Sequence, residues 1–398
     1  MKVMFVTARL PWPPLKGDQV RSFHQLKELS KRHDITLISF CLPDELETPC
    51  PELEEICNKV IRIPFRPYTR FLIGTWLALR MRWPGQVGLY HSQRLVKCIR
   101  QHLKHGEFDL LHIQLSRMAS HASVDCGVPI VVDLIDALCL NMDRRADQER
   151  FWLAPLLRIE AKLMAVWERR VAATFSRSVV VSEVDRLAIG SSAKTRVIPN
   201  GVDLERFAYS REGRGRFSIV FSGNMSYFPN VDAACWFVHE VLPLVLKEIP
   251  QVEFVIAGTN PHARVRRLAE ESPAVNVTGF VPSMEAELRK MAIAVAPMRS
   301  GTGIQNKVIE AMASGLPVVA TSFALGGLRV EPDQEIVVAD EATAMARVIV
   351  DLLKDPERMD RMAARARDYV EAWHSWEGSV AQLEEVWREA MDRHGAAK

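Results

Sequence analysis

Short apolar runs alternate with longer stretches of helical periodicity from one end of the chain to the other. The runs at 2–7, 34–40, 59–63, 109–114, 129–133 and 178–181, and then at 217–222, 252–257, 275–278, 293–296, 317–320 and 336–338, are nearly continuous in Val, Ile, Leu, Phe and Ala. Strands buried on both faces of a parallel sheet read this way, whereas half-exposed strands alternate apolar with polar. Helical stretches between them complete an α/β pattern. Two such sets, separated by Pro199-Asn200-Gly201, predict two Rossmann-like doubly wound domains facing a cleft, at 1–198 and 199–375. Gly201 supplies the backbone freedom a hinge uses. The remainder, 376–398, is expected to be an amphipathic helix through Val380, Leu383, Val386, Trp387 and Met391. No tandem repeat or low-complexity tract interrupts the pattern.

Composition narrows the class. A chain of 398 residues, 48% hydrophobic and 25% charged, exceeds one ordinary core and is expected to make two. A formal net charge of +2 argues against a general polyanion binder, so no nucleic-acid partner is expected. Seven cysteines, at 41, 50, 57, 98, 126, 139 and 235, include no Cys-x-x-Cys pair and are odd in number, which favours reduced thiols in a cytoplasmic protein over a disulfide framework or zinc site. The opening Lys2 to Thr7 is too short for a signal peptide and reads as a first buried strand. No apolar run approaches the roughly 20 residues that span a bilayer.

Candidate chemistry gathers between the expected strands 293–296 and 317–320. There Met298-Arg299-Ser300-Gly301-Thr302-Gly303-Ile304-Gln305-Asn306-Lys307-Val308-Ile309-Glu310 joins a glycine-rich loop to a helix start at the carboxyl end of a strand, where open α/β sheets bind ligands. Gly301 and Gly303 let the backbone approach a phosphate, and the amides and dipole of the following helix favour an anion. Lys307 and Glu310, three residues apart, share one helix face. The cation suits a diphosphate and the carboxylate suits two ribose hydroxyls. An ordinary surface ion pair beside a tight turn is the plain alternative on these residues alone.

Glu310-Ala311-Met312-Ala313-Ser314-Gly315-Leu316-Pro317-Val318-Val319 resembles the nucleotide-sugar signature of the family 4 (group 1) retaining glycosyltransferases. Val179-Val180-Val181-Ser182-Glu183 resembles its strand followed by Ser-Glu, and Val197-Ile198-Pro199-Asn200-Gly201-Val202-Asp203 with Phe207 its interdomain segment. Phe221-Ser222-Gly223-Asn224-Met225-Ser226-Tyr227-Phe228-Pro229-Asn230-Val231-Asp232-Ala233 and Val132-Asp133-Leu134-Ile135-Asp136 resemble a subgroup of bacterial sugar transferases found with exopolysaccharide assembly. The match runs from Lys2 to Trp376. It implies the GT-B arrangement, an N-terminal acceptor-binding domain, a C-terminal domain holding a UDP- or GDP-type sugar, and a last helix that crosses back to the first domain. It also implies retention of the anomeric configuration by front-face attack, with no cofactor beyond the donor itself.

The resemblance places Gly17 at the donor diphosphate and Phe280 and Val281 at the nucleobase through their backbone; Gly223, Gly301, Gly303, Lys307 and Glu310 are expected around the nucleotide, with Arg299 as a further cation and the backbone of Gly301 to Ile304 or the Thr302 hydroxyl taking the contact to the donor sugar hydroxyls. A helix is expected from Ser22 to Lys31, after the Gly17 loop, with Arg9 and Arg21 flanking that loop. Ile135 stands where many members carry a histidine, followed as in the family by an acid, Asp136. Asp133 is then the substitute polar group expected to orient or deprotonate the acceptor hydroxyl, because neighbouring carboxylates push one pKa into general-base range. Asp136 as a simple helix cap is the plain alternative. His112 is another strand-end residue, and a lone histidine is more often structural.

Two departures matter. The family's first glutamate, eight positions before Glu310, is Thr302 here, and its phosphate-gripping arginine and lysine after the first strand of the second domain are absent after Gly223. Lys307 and Arg299 remain as cations. No Asp-x-Asp pair sits in a suitable loop after a strand, so a metal-independent transferase is expected, with Lys307 joining Asp133 and Asp136 as catalytic residues. A sugar-nucleotide epimerase is disfavoured by the Ile-Pro-Asn-Gly-Val-Asp and Glu-Ala-Met-Ala segments. A non-catalytic sugar-nucleotide or glycan-binding subunit is the second reading, supported by the same departures.

Finally, no acid occurs between Glu55 and Glu107, while Lys59, Arg62, Arg66, Arg70, Arg80, Arg82, Arg94, Lys97, Arg100 and Lys104 are interleaved with Phe65, Tyr68, Phe71, Trp76 and Trp83. Each basic residue near an anionic leaflet adds about 1 kcal/mol. The expectation is peripheral contact with the inner face of the cell membrane and a glycan or lipid-linked glycan acceptor. The competing reading packs the aromatics into the core.

Overall fold

The computed structural model describes residues 1–396 apart from 67–70, 107, 123–125, 148–152, 191 and 301–304. The chain divides into two compact units, one formed by Met1–Pro199 with Trp376–Lys398, the other by Asn200–Ser375.

The first unit is built on a seven-stranded sheet. Its strands are β1 (Lys2–Thr7), β2 (Asp34–Cys41), β3 (Lys59–Pro64), β4 (Leu110–Gln114), β5 (Ile130–Ile135), β6 (Arg177–Val180) and β7 (Thr195–Val197). They lie in the order β3-β2-β1-β4-β5-β6-β7, every pair parallel. The strand period of two sends Val3 and Phe5 to one face, with Ile35, Leu37, Val131 and Val179, and Met4 and Val6 to the other, with Ile38, Phe40, Ile113 and Val132. Both faces are dry, which is why the runs are continuous in the sequence. The last helix, Trp376–Ala396, covers the first of these faces beside the helix Gly17–Leu29, burying Val380, Leu383 and Trp387 completely.

The second unit carries β8 (Ser218–Ser222), β9 (Glu253–Ala257), β10 (Val275–Gly279), β11 (Ile293–Ala296), β12 (Val318–Ala320) and β13 (Val337–Val338). The order is β10-β9-β8-β11-β12-β13, again parallel throughout. Strand order reverses between β8 and β11, so the crevice outside their carboxyl ends is the topological switch point at which doubly wound sheets bind ligands.

All twelve expected strands form, with ends within two residues of the expected ones. β7 is additional, a three-residue edge strand too short and too polar to read from Thr195-Arg196-Val197. The helix expected from Ser22 to Lys31 instead spans Gly17–Leu29, so Gly17 opens the helix rather than preceding it.

Candidate active site

At the switch point of the second unit, Gly223 follows β8 and Gly258 follows β9, at φ values of 153° and 149°. A Cβ on Gly258 would stand 1.7 Å from the Gly223 carbonyl oxygen, so two backbones meet where only glycine fits. β11 leads through Met298, Arg299 and Ser300 to the helix Asn306–Ala313. Gly301, Thr302, Gly303 and Ile304 lie outside the described residues.

Lys307, on the first turn of that helix, extends back toward β8. Its Nζ donates to Asn230 Oδ1 at 2.6 Å, sits 4.5 Å from the centre of the Phe221 ring and lies 3.6 Å from Met298 Sδ. Asn230 is itself held by the Asn224 carbonyl, which accepts from its Nδ2 at 2.9 Å. Burial pushes the Lys307 ammonium down to about 7, with Glu310 pulling it back up. Among the described residues, a cation surrounded by a neutral amide, a ring face and a thioether has no salt-bridged anion to give up when one arrives.

Glu310, one turn on, makes no side-chain hydrogen bond among the described residues. Burial raises its carboxyl to about 7 against the pull of Arg206 and Lys307. Arg206 is engaged elsewhere, with Glu285 at 3.0 Å. An unengaged carboxylate one turn from an unpaired ammonium has the polarity that a ribose and its diphosphate require. Phe280 stands exposed after β10, next to Val281, and Gly279 before it adopts a left-handed φ of 68°. Arg299 is exposed, 4.0 Å from Asp232, and 6.0 Å from the Trp236 ring.

The first unit places its candidates differently. Gly17 opens its helix with empty space beside its Cα, so packing does not demand a glycine there. Arg9 pairs with Asp18 at 2.9 Å. Asp133, expected to orient or deprotonate the acceptor, is completely buried: Oδ2 accepts from Arg21 Nε at 2.7 Å and from Gln25 Nε2 at 3.2 Å, and Oδ1 accepts from the Ile135 amide at 3.0 Å. Asp133 is thus ion-paired with a buried guanidinium inside the core. This pair fixes the end of β5 and makes Asp133 an ion-paired residue, where the sequence reading expected a free acid.

Asp136 is the group left free. Ile135 adopts φ 64° at a register shift in the β5–β6 pairing, a conformation costing about 1–3 kcal/mol for a β-branched residue. The loop beyond it is clamped by two acids from other helices. Asp185 Oδ1 accepts from the Ala137 amide at 3.0 Å, and Glu168 accepts from the amides of Leu138 at 2.9 Å and Cys139 at 3.2 Å. Glu168 therefore caps the helix Leu138–Ala146, the role otherwise open to Asp136. Asp136 makes no side-chain hydrogen bond among the described residues and keeps partial access to solvent. Burial and then the neighbouring Asp185 raise its carboxyl to about 7, with Asp133 and Glu168 adding to the rise and Arg21 opposing it. Glu168, Asp185 and Asn230 were not singled out from the sequence. Each acts on a partner distant along the chain, and although Asn230 falls within a motif, nothing in the neighbouring residues names that partner.

His112 is structural: it stacks on Phe5 at 4.3 Å and accepts from Trp387 Nε1 at 3.2 Å, and burial drops its pKa to about 4.

Residues 17–201 match the glycosyl transferase 4-like domain, and residues 216–355 match the glycosyl transferases group 1. The chain belongs to the group 1, or family 4, glycosyltransferases. The transferase is 24% identical to an uncharacterized 44.6 kDa protein in the cps region of Klebsiella pneumoniae, over 93% of this chain and 95% of that one. It is also 24% identical to the MMP alpha-(1->4)-mannosyltransferase of Mycolicibacterium hassiacum, over 74% of this chain and 73% of that one. In fold it resembles the sucrose-phosphate synthase of Thermosynechococcus elongatus, with a TM-score of 0.70 at 18% identity, covering 99% of this chain and all of the other. The Anabaena HepE protein in complex with UDP aligns with a TM-score of 0.67 at 16% identity, over 97% and 99% of the two chains. The transferase thus has the GT-B fold. Among the described residues, no helix is long and apolar enough to cross a membrane.

Proposed function

We propose that this transferase moves a sugar from a UDP- or GDP-type donor to a hydroxyl of a glycan or lipid-linked glycan during cell-surface polysaccharide assembly, with retention of configuration and without a metal. The observation that carries the reading is the pairing of Lys307 and Glu310 on one helix face beside the glycine-only approach of Gly223 and Gly258. A diphosphate at that helix start meets the Lys307 ammonium, the helix amides and its dipole, and the ribose hydroxyls donate to Glu310. Phe280 and Val281 offer backbone groups to the base edge. As the glycosidic bond of the donor breaks, negative charge grows on the departing phosphate, and Lys307 stabilises it more than it stabilises the ground state.

On the acceptor side Asp136 replaces Asp133. Its raised pKa lets it accept and hold the hydroxyl hydrogen near neutral pH while the leaving phosphate takes the proton. The relatives supply context. Several mannosyltransferases similar to this chain are named as GDP-mannose-dependent, HepE was solved with UDP, and the Klebsiella relative lies in a cps region.

Release of nucleoside diphosphate from a panel of UDP- and GDP-sugars, with and without glycan or lipid-linked acceptors, tests the reading. Acceptor-stimulated release with one donor, and an unchanged anomeric configuration in the product, is expected. Tight donor binding with no turnover on any acceptor would return the chain to the sugar-nucleotide-binding subunit reading.

A further inference from the structure

The helix Phe71–Met81 is apolar on nearly every side, Phe-Leu-Ile-Gly-Thr-Trp-Leu-Ala-Leu-Arg-Met, yet only Gly74 and Ala78 are buried. A helix hydrophobic all round is normally inside a protein. Here Leu72 is 82% exposed, Leu79 77% and Trp76 58%, with Phe71, Ile73 and Met81 also open. Its inner edge packs closely on the short helix Gly85–Tyr90, where a Cβ on Gly88 would stand 2.3 Å from the Gly74 carbonyl oxygen. That short helix is anchored to the long helix Ala154–Thr174 by Glu160, which accepts from the amides of Gly85 and Gln86, each at 2.9 Å. The long helix exposes a stripe of its own, Leu156, Ile159, Leu163 and Val166, at spacings of three and four residues.

Charge says what covers this surface. The first helix contains no acid, and the two acids of the second face inward, Glu160 onto those amides and Glu168 onto the amides of Leu138 and Cys139. Exposed Arg80, Arg82, Lys162 and Arg170 remain around the apolar residues, and the Arg80 guanidinium lies over the Trp76 ring at 5.5 Å. Not all of the basic segment contributes: Arg62 turns onto backbone carbonyls of Glu45 and Thr48, and Phe65 and Trp83 pack inward. Arg70 and Tyr68 lie outside the described residues.

We infer that the helix Phe71–Met81, flanked by the Leu156 to Val166 stripe, is an anionic-membrane docking surface that seats its apolar side chains among the acyl chains and its arginines among lipid phosphates. An 11-residue helix is about 16 Å long, half the hydrocarbon thickness, so it lies in the interface and does not span it. The inference rests on the lipid-linked acceptor reading only for its purpose, and its test uses vesicles that contain no glycan.

Co-sedimentation of the whole protein is measured with vesicles of phosphatidylcholine alone and of phosphatidylcholine with phosphatidylglycerol, over rising salt. Binding to the anionic vesicles, weakened by salt, is expected. Arg80→Gln with Arg82→Gln should lower the partition coefficient by about tenfold or more, and Leu72→Gln with Trp76→Gln and Leu79→Gln should abolish it. Circular dichroism and a cooperative melting transition, unchanged in both variants, show that they remain folded. Equal binding by the wild type and the Leu72, Trp76 and Leu79 variant, or no binding with concentration-dependent dimerisation that the same variant loses, would overturn the inference. Either result leaves the transfer reading untouched.

Discussion

Lys307 Nζ donates to Asn230 Oδ1 at 2.6 Å, and this contact ties the helix after β11 to the helix after β8 across the switch point. The amide orients the ammonium without neutralising it. A carboxylate at position 230 would have formed a closed ion pair, and an incoming diphosphate would then have had to compete with it.

The leaving group therefore depends on Lys307. Lys307→Ala should lower kcat/KM by about a hundred- to a thousandfold, the scale of losing one transition-state donor. Asn230→Ala should lower kcat by less and leave KM for the donor nearly unchanged, because the cation survives but its position is no longer fixed. Steady-state kinetics on both variants check this. A normal turnover for Lys307→Ala would pass the role to Arg299.

Nucleotide affinity should be greatest near pH 7. Lys307 and Glu310 both titrate at about 7 in the free protein, one pushed down and the other up by burial. The diphosphate requires the ammonium, so above pH 7 binding must take up a proton and weakens as pH rises. The ribose requires the carboxylate, so below pH 7 binding must release a proton and weakens as pH falls. Calorimetry in buffers of different ionisation enthalpy reads the proton count directly. Lys307→Ala should remove the alkaline limb and Glu310→Gln the acid limb, the latter weakening binding by about 1.5–3 kcal/mol per charge-assisted bond lost.

Trp387→Ala should destabilise the first unit by about 3–5 kcal/mol, since the ring is fully buried. It also strips His112 of its donor inside a dry core. Urea denaturation measures the loss. A shift below about 1 kcal/mol would mean that the last helix is not part of that core.

These effects show which features a sequence exposes. The twelve strands were legible because a strand buried on both faces must be apolar throughout, and Lys307 with Glu310 because helical spacing alone puts them on one face. Arg21 and Asp133 are 112 residues apart, and Asn230 and Lys307 are 77 apart. Nothing near any of them in the chain announces a partner, so Asp133 read as a free acid when it is a neutralised one. Glu168 was hidden for the opposite reason. It sits in an amphipathic helix among solvated charges, and only the fold turns it inward onto the amides of Leu138 and Cys139.

Asp136 should show the opposition between activity and stability expected of a working acid. Its pKa is raised from 3.8 to about 7, chiefly by burial. Between those values the folded state holds a proton that the unfolded state has lost, so the unfolded state binds fewer protons and stability falls as pH rises through that window. Above pH 7 the full penalty of a buried charge beside Asp185 and Glu168 is present. Asp136→Asn removes that charge, and its melting temperature should exceed that of the wild type by more at pH 8 than at pH 4. Its kcat should fall by about a hundredfold or more if the carboxylate holds the acceptor hydroxyl. Glu168→Gln keeps an oxygen for one capped amide but removes a negative charge that faces Asp136, so the acid limb of the kcat profile, measured at saturating donor to take Glu310 out of it, should move to lower pH. A Glu168→Gln enzyme with an unmoved limb would separate Glu168 from Asp136 electrostatically, and an Asp136→Asn enzyme that is fully active would remove Asp136 from the reaction.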